Sequence, residues 1–179
     1  MDPVRSSRVS RSSDYSRSAG GQALAARLRR LSERLDRDGT RIYAAAGIDF
    51  EQRWYGVLNQ LIIRGPSSVS DIAAALRITH VSVSQAIRSL ERAGIVQGEA
   101  DPLDGRRRLL SLTTEGDALV AQLGPLWSSF NAAAGELDQE AGGVVALLDL
   151  LDDALDRRSM FERIAEHAGL SPDRRLTDM

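Results

Sequence analysis

Between Ser68 and Leu112, residues that start, stop and turn a chain follow one another at intervals few architectures can satisfy. Ser68 stands three residues before Asp71, the spacing of a reciprocal helix N-cap. Val69, Ile72, Ala73 and Leu76 then supply the apolar face of a helix of two turns. Arg77-Ile78-Thr79 forms a tight connection, and Thr79 can cap a second helix with Val83, Ala86, Ile87 and Leu90 on its inner face. Gly94 is placed to stop that helix. Ile95-Val96 opens a strand, Asp101-Pro102-Leu103-Asp104-Gly105 is strong turn chemistry, and Arg106 to Leu112 returns as the second strand of a hairpin.

The flanks read as helices. Leu24, Leu28, Leu31 and Leu35 form one narrow apolar stripe, like a coiled-coil seam, which Ile42 and Tyr43 continue past Gly39. Asp49, three residues before Gln52, predicts a cap for a helix burying Phe50, Trp54, Val57, Leu58, Leu61 and Ile62, ended by Gly65-Pro66. After the hairpin, Thr114 and Asp117 predict another cap. Leu119, Leu123, Leu126 and Phe130 mark the helix that follows, with a kink at Pro125. Val144, Leu147, Leu148, Leu151 and Leu155 mark the next, and Ser159 with Glu162 caps a last short helix closed by Gly169 and Pro172. The predicted fold class is mainly α with a small β-hairpin wing. A winged helix-turn-helix core at about 50–112 is flanked by dimerisation helices at about 21–46 and 114–168. A lobe this small cannot cover the stripes at 24–35, 119–130 and 144–155 by itself, so a homodimer is expected. Residues 1–20, rich in Ser and Arg, read as a disordered tail, and 169–179 as a C-terminal tail.

Composition narrows the chemistry. The chain has no cysteine and no lysine; all 23 basic residues are arginine. Disulfides, thiolate metal sites, Schiff-base chemistry and a lysine phosphate loop are excluded. With only His80 and His167, a three-histidine metal site cannot be built in one chain. His167 beside Glu162 and Glu166, and the acids Asp152, Asp153 and Asp156, read as solvated helix surface, so no metal, no cofactor and no catalytic constellation is expected. No apolar run approaches a membrane span and the N-terminus lacks an apolar signal core, which points to the cytoplasm. The net charge of −2 is unevenly spread: residues 113–179 hold thirteen acids against five arginines, which leaves the remainder mildly basic.

The second short helix is where function is expected. Its inward set turns Val81, Gln85, Arg88 and Arg92 outward, flanked by Ser82, Ser84 and Ser89. Small polar side chains let a helix lie deep in a major groove, where Gln and Arg can read base edges. Thr79 and His80 lie at the helix N-terminus, where main-chain N–H groups favour a phosphate. Arg106, Arg107 and Arg108 follow the sharp turn, where charge can reach a minor groove or flanking phosphates. The competing reading is a winged-helix module that binds another protein and leaves this face unused. Arg5, Arg8, Arg11 and Arg17 could brush phosphates, although a solubilising tail is the simpler reading.

In this order, DIAAALRITHVSVSQAIRSLERAGIV and DPLDGRRRLLSLTTEG resemble the winged-helix core of the multiple-antibiotic-resistance regulator (MarR) family. The family's Asp-x-Arg wing pattern falls on Asp104 and Arg106, and its closing Leu-Thr on Leu112 and Thr113. The end of its recognition helix falls on Leu90, Glu91, Gly94 and Ile95. The resemblance implies an obligate homodimer whose two lobes bind successive major grooves of a pseudo-palindrome in double-stranded DNA. It implies that Arg106 enters the minor groove while Asp104 orients it, and that the protein is a transcriptional regulator, more a repressor than an activator. It also implies control by a small aromatic ligand, for which Tyr43, Trp54 and Trp127 are the candidate contacts. The absence of cysteine excludes a peroxide-sensing mode.

Overall fold

The computed structural model describes residues 14–170. The chain divides into two compact units between Asp117 and Ala118. The first begins with one turn of helix, α1 (Tyr15–Ser18), and a 3-10 turn over Gly20–Ala23. The expected tail therefore ends earlier than residue 20. Asp14 accepts from the Ser16 main-chain N–H at 3.1 Å, the cap that a Ser/Arg-rich composition hides, and its carboxylate takes Arg30 at 3.0 Å. The rest of the expected tail, residues 1–13, lies outside the described residues, as do 171–179.

Helix α2 (Leu24–Ala45) runs unbroken through Gly39, which is buried. Tyr43 is buried as well, whereas Leu24, Leu28, Leu31, Leu35 and Ile42 remain 38–58% exposed. The stripe is real and has no cover within the described chain.

Asp49 caps nothing. Helix α3 (Trp54–Arg64) starts later, with Arg53 at its N-cap position and no side-chain cap bond. The chain from Ile48 instead buries Ile48 and Phe50, and the main-chain N–H groups of Trp54 and Tyr55 bond back to Glu51 and Gln52. Burial of the Phe50 ring outweighed the cap. Trp54, Val57, Leu58 and Leu61 face the core, but Ile62 is 42% exposed.

The next elements follow the sequence closely. Helix α4 (Val69–Leu76) carries the reciprocal Ser68–Asp71 cap and ends on Arg77 at φ +53°, a left-handed conformation unusual for a side-chain-bearing residue. Helix α5 (His80–Arg92) is capped by Thr79, whose hydroxyl accepts from the Ser82 N–H at 3.2 Å. Gly94 at φ +72° turns the chain out of α5. Strands β1 (Val96–Ala100) and β2 (Arg108–Leu112) pair antiparallel, with Val96 opposite Leu112 and Ala100 opposite Arg108. Arg106 and Arg107 belong to the connecting turn rather than to the strand. Ser67 bonds to both polar main-chain groups of Leu110, which fixes the hairpin to the start of α4. Leu58, Ile72, Val83, Leu90 and Leu110, all at most 1% exposed, are the core of this lobe.

Helix α6 (Thr114–Glu140) contains Pro125, and its cap is one residue earlier than expected: the Thr113 hydroxyl, not Thr114, accepts the Gly116 N–H at 3.0 Å. The second unit continues with α7 (Val144–Arg157) and α8 (Met160–His167). Asp138 accepts from the Val145 N–H at 2.8 Å, a cap supplied from the preceding helix. The Ser159–Glu162 cap of α8 is reciprocal, as expected. No helix among the described residues is long and apolar enough to cross a membrane.

Candidate nucleic-acid interface

Helix α5 sorts its side chains sharply. Val83, Ala86, Ile87 and Leu90 are buried, and Val81, Ser82, Gln85, Arg88 and Arg92 are exposed. Ser84 is half-buried. Ser89, expected on the outer surface, is buried instead: its hydroxyl donates to Glu51 at 2.6 Å and accepts from Arg53 at 3.2 Å. Buried polar groups need partners, and here the loop before α3 supplies them. The hydrogen bond from Ser89, aided by Arg53, holds the Glu51 carboxyl below the usual glutamate range.

The outer face is suited to an anion. Thr79 and His80 are both exposed at the start of α5. The first main-chain N–H groups of a helix have no acceptor within it, and the Thr79 hydroxyl takes only that of Ser82. The amides of His80 and Val81 therefore remain for an outside acceptor such as a phosphate. Glu91 is the only acid between Thr79 and Arg92, and it is paired with Arg108 at 2.7 Å, so α5 itself adds no other carboxylate beside Gln85 and Arg88.

The three consecutive arginines are in three different environments. Arg106 is exposed and makes no ion pair among the described residues; its main-chain N–H donates to Asp104 Oδ1 at 3.1 Å. Asp104 thus acts on Arg106 by shaping the turn, not by holding its guanidinium. Arg107 Nη2 donates to Asp71 at 2.7 Å and to Ser68 Oγ at 3.3 Å. Arg108 joins β2 to the end of α5 through Glu91, and its guanidinium covers Gly98 so closely that a side chain there would collide with it.

The ligand candidates fall in both units. Tyr43 and Trp54 are 2% and 5% exposed and are bridged by Phe50, with ring centroids 4.5 Å and 5.7 Å apart respectively. The indole Nε1 of Trp54 is buried without a hydrogen-bond partner among the described residues. Trp127 is half-buried in the second unit. No group of three or more His, Asp or Glu among the described residues is arranged to hold a metal ion.

Residues 47–107 match the model of the MarR family, and they span α3, the helix-turn-helix pair and the hairpin down to the wing arginines. Over this winged-helix stretch the chain is similar to the MarR family. The MarR-like stretch is 32% identical over 82 residues to the transcriptional regulator HosA of Escherichia coli O111:H-, covering 45% of this chain and 60% of HosA. It is 31% identical over 77 residues to YkoM of Bacillus subtilis (strain 168), described as an uncharacterized HTH-type transcriptional regulator, covering 43% of this chain and 50% of YkoM. The chain thus spans half to three-fifths of these curated relatives. The fold extends further than the sequence match. The MarR-like architecture superposes on the S. aureus MepR–DNA complex with a TM-score of 0.62 at 23% identity, covering 74% of this chain and 98% of MepR.

Proposed function

We propose that this protein is a transcriptional regulator that binds double-stranded DNA in a sequence-specific manner, as a homodimer on a pseudo-palindromic operator, and acts as a ligand-responsive repressor. The observation that carries the reading is the exposed face of α5, with Gln85 and Arg88 outward, followed by a wing whose tip arginine, Arg106, makes no ion pair among the described residues. Gln85 and Arg88 read base edges, Thr79, His80, Val81, Ser82 and Ser84 line the approach, and Arg106 reaches the minor groove from a turn shaped by Asp104. The curated relatives, both described as transcriptional regulators, support this reading.

Homodimerisation is supported by apolar faces left uncovered. Besides α2, Val145, Leu147 and Leu150 of α7 are 56–62% exposed, and Met160, Phe161 and Ile164 of α8 are each 55% exposed. Faces of this size on a single chain mark an interface. An aromatic effector is supported by the buried, unpaired Trp54 N–H beside Phe50 and Tyr43, a donor that a ligand oxygen could satisfy.

Selection of bound duplexes from a random library, followed by fluorescence anisotropy, tests the reading. A palindrome with half-sites about 10 bp apart is expected. Arg106→Ala should weaken binding at least about tenfold and make the salt slope shallower by about 2 for the dimer, one phosphate-like contact per subunit. An unchanged affinity in Arg106→Ala would contradict the wing's role. Weak, salt-insensitive binding to every duplex would instead favour a protein-binding module.

A further inference from the structure

We propose that Arg107 is a positioning residue: its guanidinium straps the wing to the N-terminus of α4 and so sets where Arg106 can reach. This rests on the DNA-binding reading above, and it separates Arg107 from the residues that touch DNA. Arg107 occupies a place built on several sides. Its Nη2 donates to Asp71 Oδ2 at 2.7 Å and to Ser68 Oγ at 3.3 Å, and its Nε lies 3.9 Å from Asp101, whose side chain is only 10% exposed. Its main chain closes the turn in both directions: its N–H donates to the Asp104 carbonyl at 2.8 Å, and its carbonyl accepts from the Asp101 N–H at 2.9 Å.

Charge argues against a phosphate at this position. Two carboxylates face the Arg107 guanidinium, with Arg64 also acting on Asp71, so the charge of Arg107 is already compensated within the lobe. Asp71 is itself committed, since its Oδ2 accepts from the main-chain N–H and the hydroxyl of Ser68 as the cap of α4. Arg107 therefore reaches a fixed point rather than a mobile side chain.

Mechanics supplies the reason for a strap. Below the turn, the hairpin is held to the lobe by the Ser67–Leu110 main-chain pair. Arg106 lies four residues beyond that pair, about 13 Å of extended chain. The Arg108–Glu91 ion pair ties β2 to α5 two residues from the tip at Arg106, so without Arg107 the tip would pivot about Arg108. Pinned at Arg107, its pivot is the neighbouring residue. Ser68 and Asp71 belong to the start of the helix-turn-helix, so the strap ties wing position to the element that also packs against α5.

A charge exchange tests this. Arg107→Asp should lose about tenfold or more in affinity for the selected duplex, because the wing is then repelled by Asp71. The double variant Asp71→Arg/Arg107→Asp should recover part of that loss, since it restores the pair but removes the cap carboxylate and leaves the exchanged carboxylate facing Asp101. Asp71→Asn, which leaves the Arg107 charge in place, should weaken binding by about two- to fivefold, the range of one exposed ion pair. It should also speed amide exchange at Asp101 and Arg107 in the free protein. If the double variant melts like wild type yet binds as poorly as Arg107→Asp, or if Asp71→Asn binds more tightly, Arg107 is a phosphate contact and the strap is wrong. If wild type binds no duplex, the regulator reading fails, and amide exchange in the free protein still decides the strap.

Discussion

Ser89→Ala probes the link between helix α5 and the loop before α3. Ser89 is 5% exposed, and its hydroxyl donates to the Glu51 carboxylate at 2.6 Å while accepting from Arg53 at 3.2 Å. A hydrogen bond to a charged group contributes about 1.5–3 kcal/mol. The Glu51 and Arg53 side chains are 39% and 50% exposed, so water replaces part of the loss and the lower end applies, about 1.5 kcal/mol. Alanine recovers about 0.5 kcal/mol of helix propensity. The net expectation is a destabilisation of about 1 kcal/mol, a fall in Tm of about 2–4 °C for a chain of this size. The effect depends on pH with a definite sign. Glu51 titrates below an ordinary glutamate, so its contribution is complete above the unfolded value of about 4.3 and is lost as pH falls through the lowered folded value. Chemical denaturation of both proteins should therefore show a gap at pH 7 that closes under acid conditions. A variant as stable as wild type at pH 7, or a gap that does not narrow as the pH is lowered below the ordinary glutamate range, would refute the reasoning.

Gly116→Ala should destabilise by about 1–2 kcal/mol in a urea melt despite its better helix propensity, because the new Cβ would collide with the Ile95 carbonyl and meet Leu112 Cβ at 3.3 Å. Gln85→Ala and Arg88→Ala should each flatten base preference at one operator position by about 1–3 kcal/mol, read by competition with single-base variants, while leaving nonspecific binding nearly unchanged. Leu31→Glu, on the 45%-exposed stripe of α2, should shift sedimentation toward monomer at micromolar concentration without lowering helix content; an unaltered dimer would place the interface elsewhere.

Local signals were legible where one residue's chemistry decides one bond. The Ser68–Asp71 and Ser159–Glu162 caps, the Thr79 cap, the Gly94 stop and the hairpin turn could all be read from spacing, because each bond closes within six residues. The inward and outward faces of α5 followed from periodicity for the same reason. Asp49 and Thr114 misled because a capping residue is a permission, not a command. Burial of Phe50 moved the start of α3, and the hydroxyl of Thr113 took the cap of α6.

Tertiary structure decided what depended on partners distant in sequence. Ser89 is a polar residue on a helix, and nothing local says that a carboxylate 38 positions earlier will draw it inside. Arg106, Arg107 and Arg108 are chemically identical letters; the hairpin register and the turn send one into solvent, one to the cap of α4 and one to the end of α5. Sequence alone could determine that this stretch forms two short helices and an arginine-tipped hairpin, since hydrogen bonds between near neighbours and the period of the apolar residues suffice for that. Which arginine remains available to a partner was settled only when strand pairing placed Asp71 and Glu91 within reach of the other two, because ion pairs form between neighbours in space, whatever their separation along the chain.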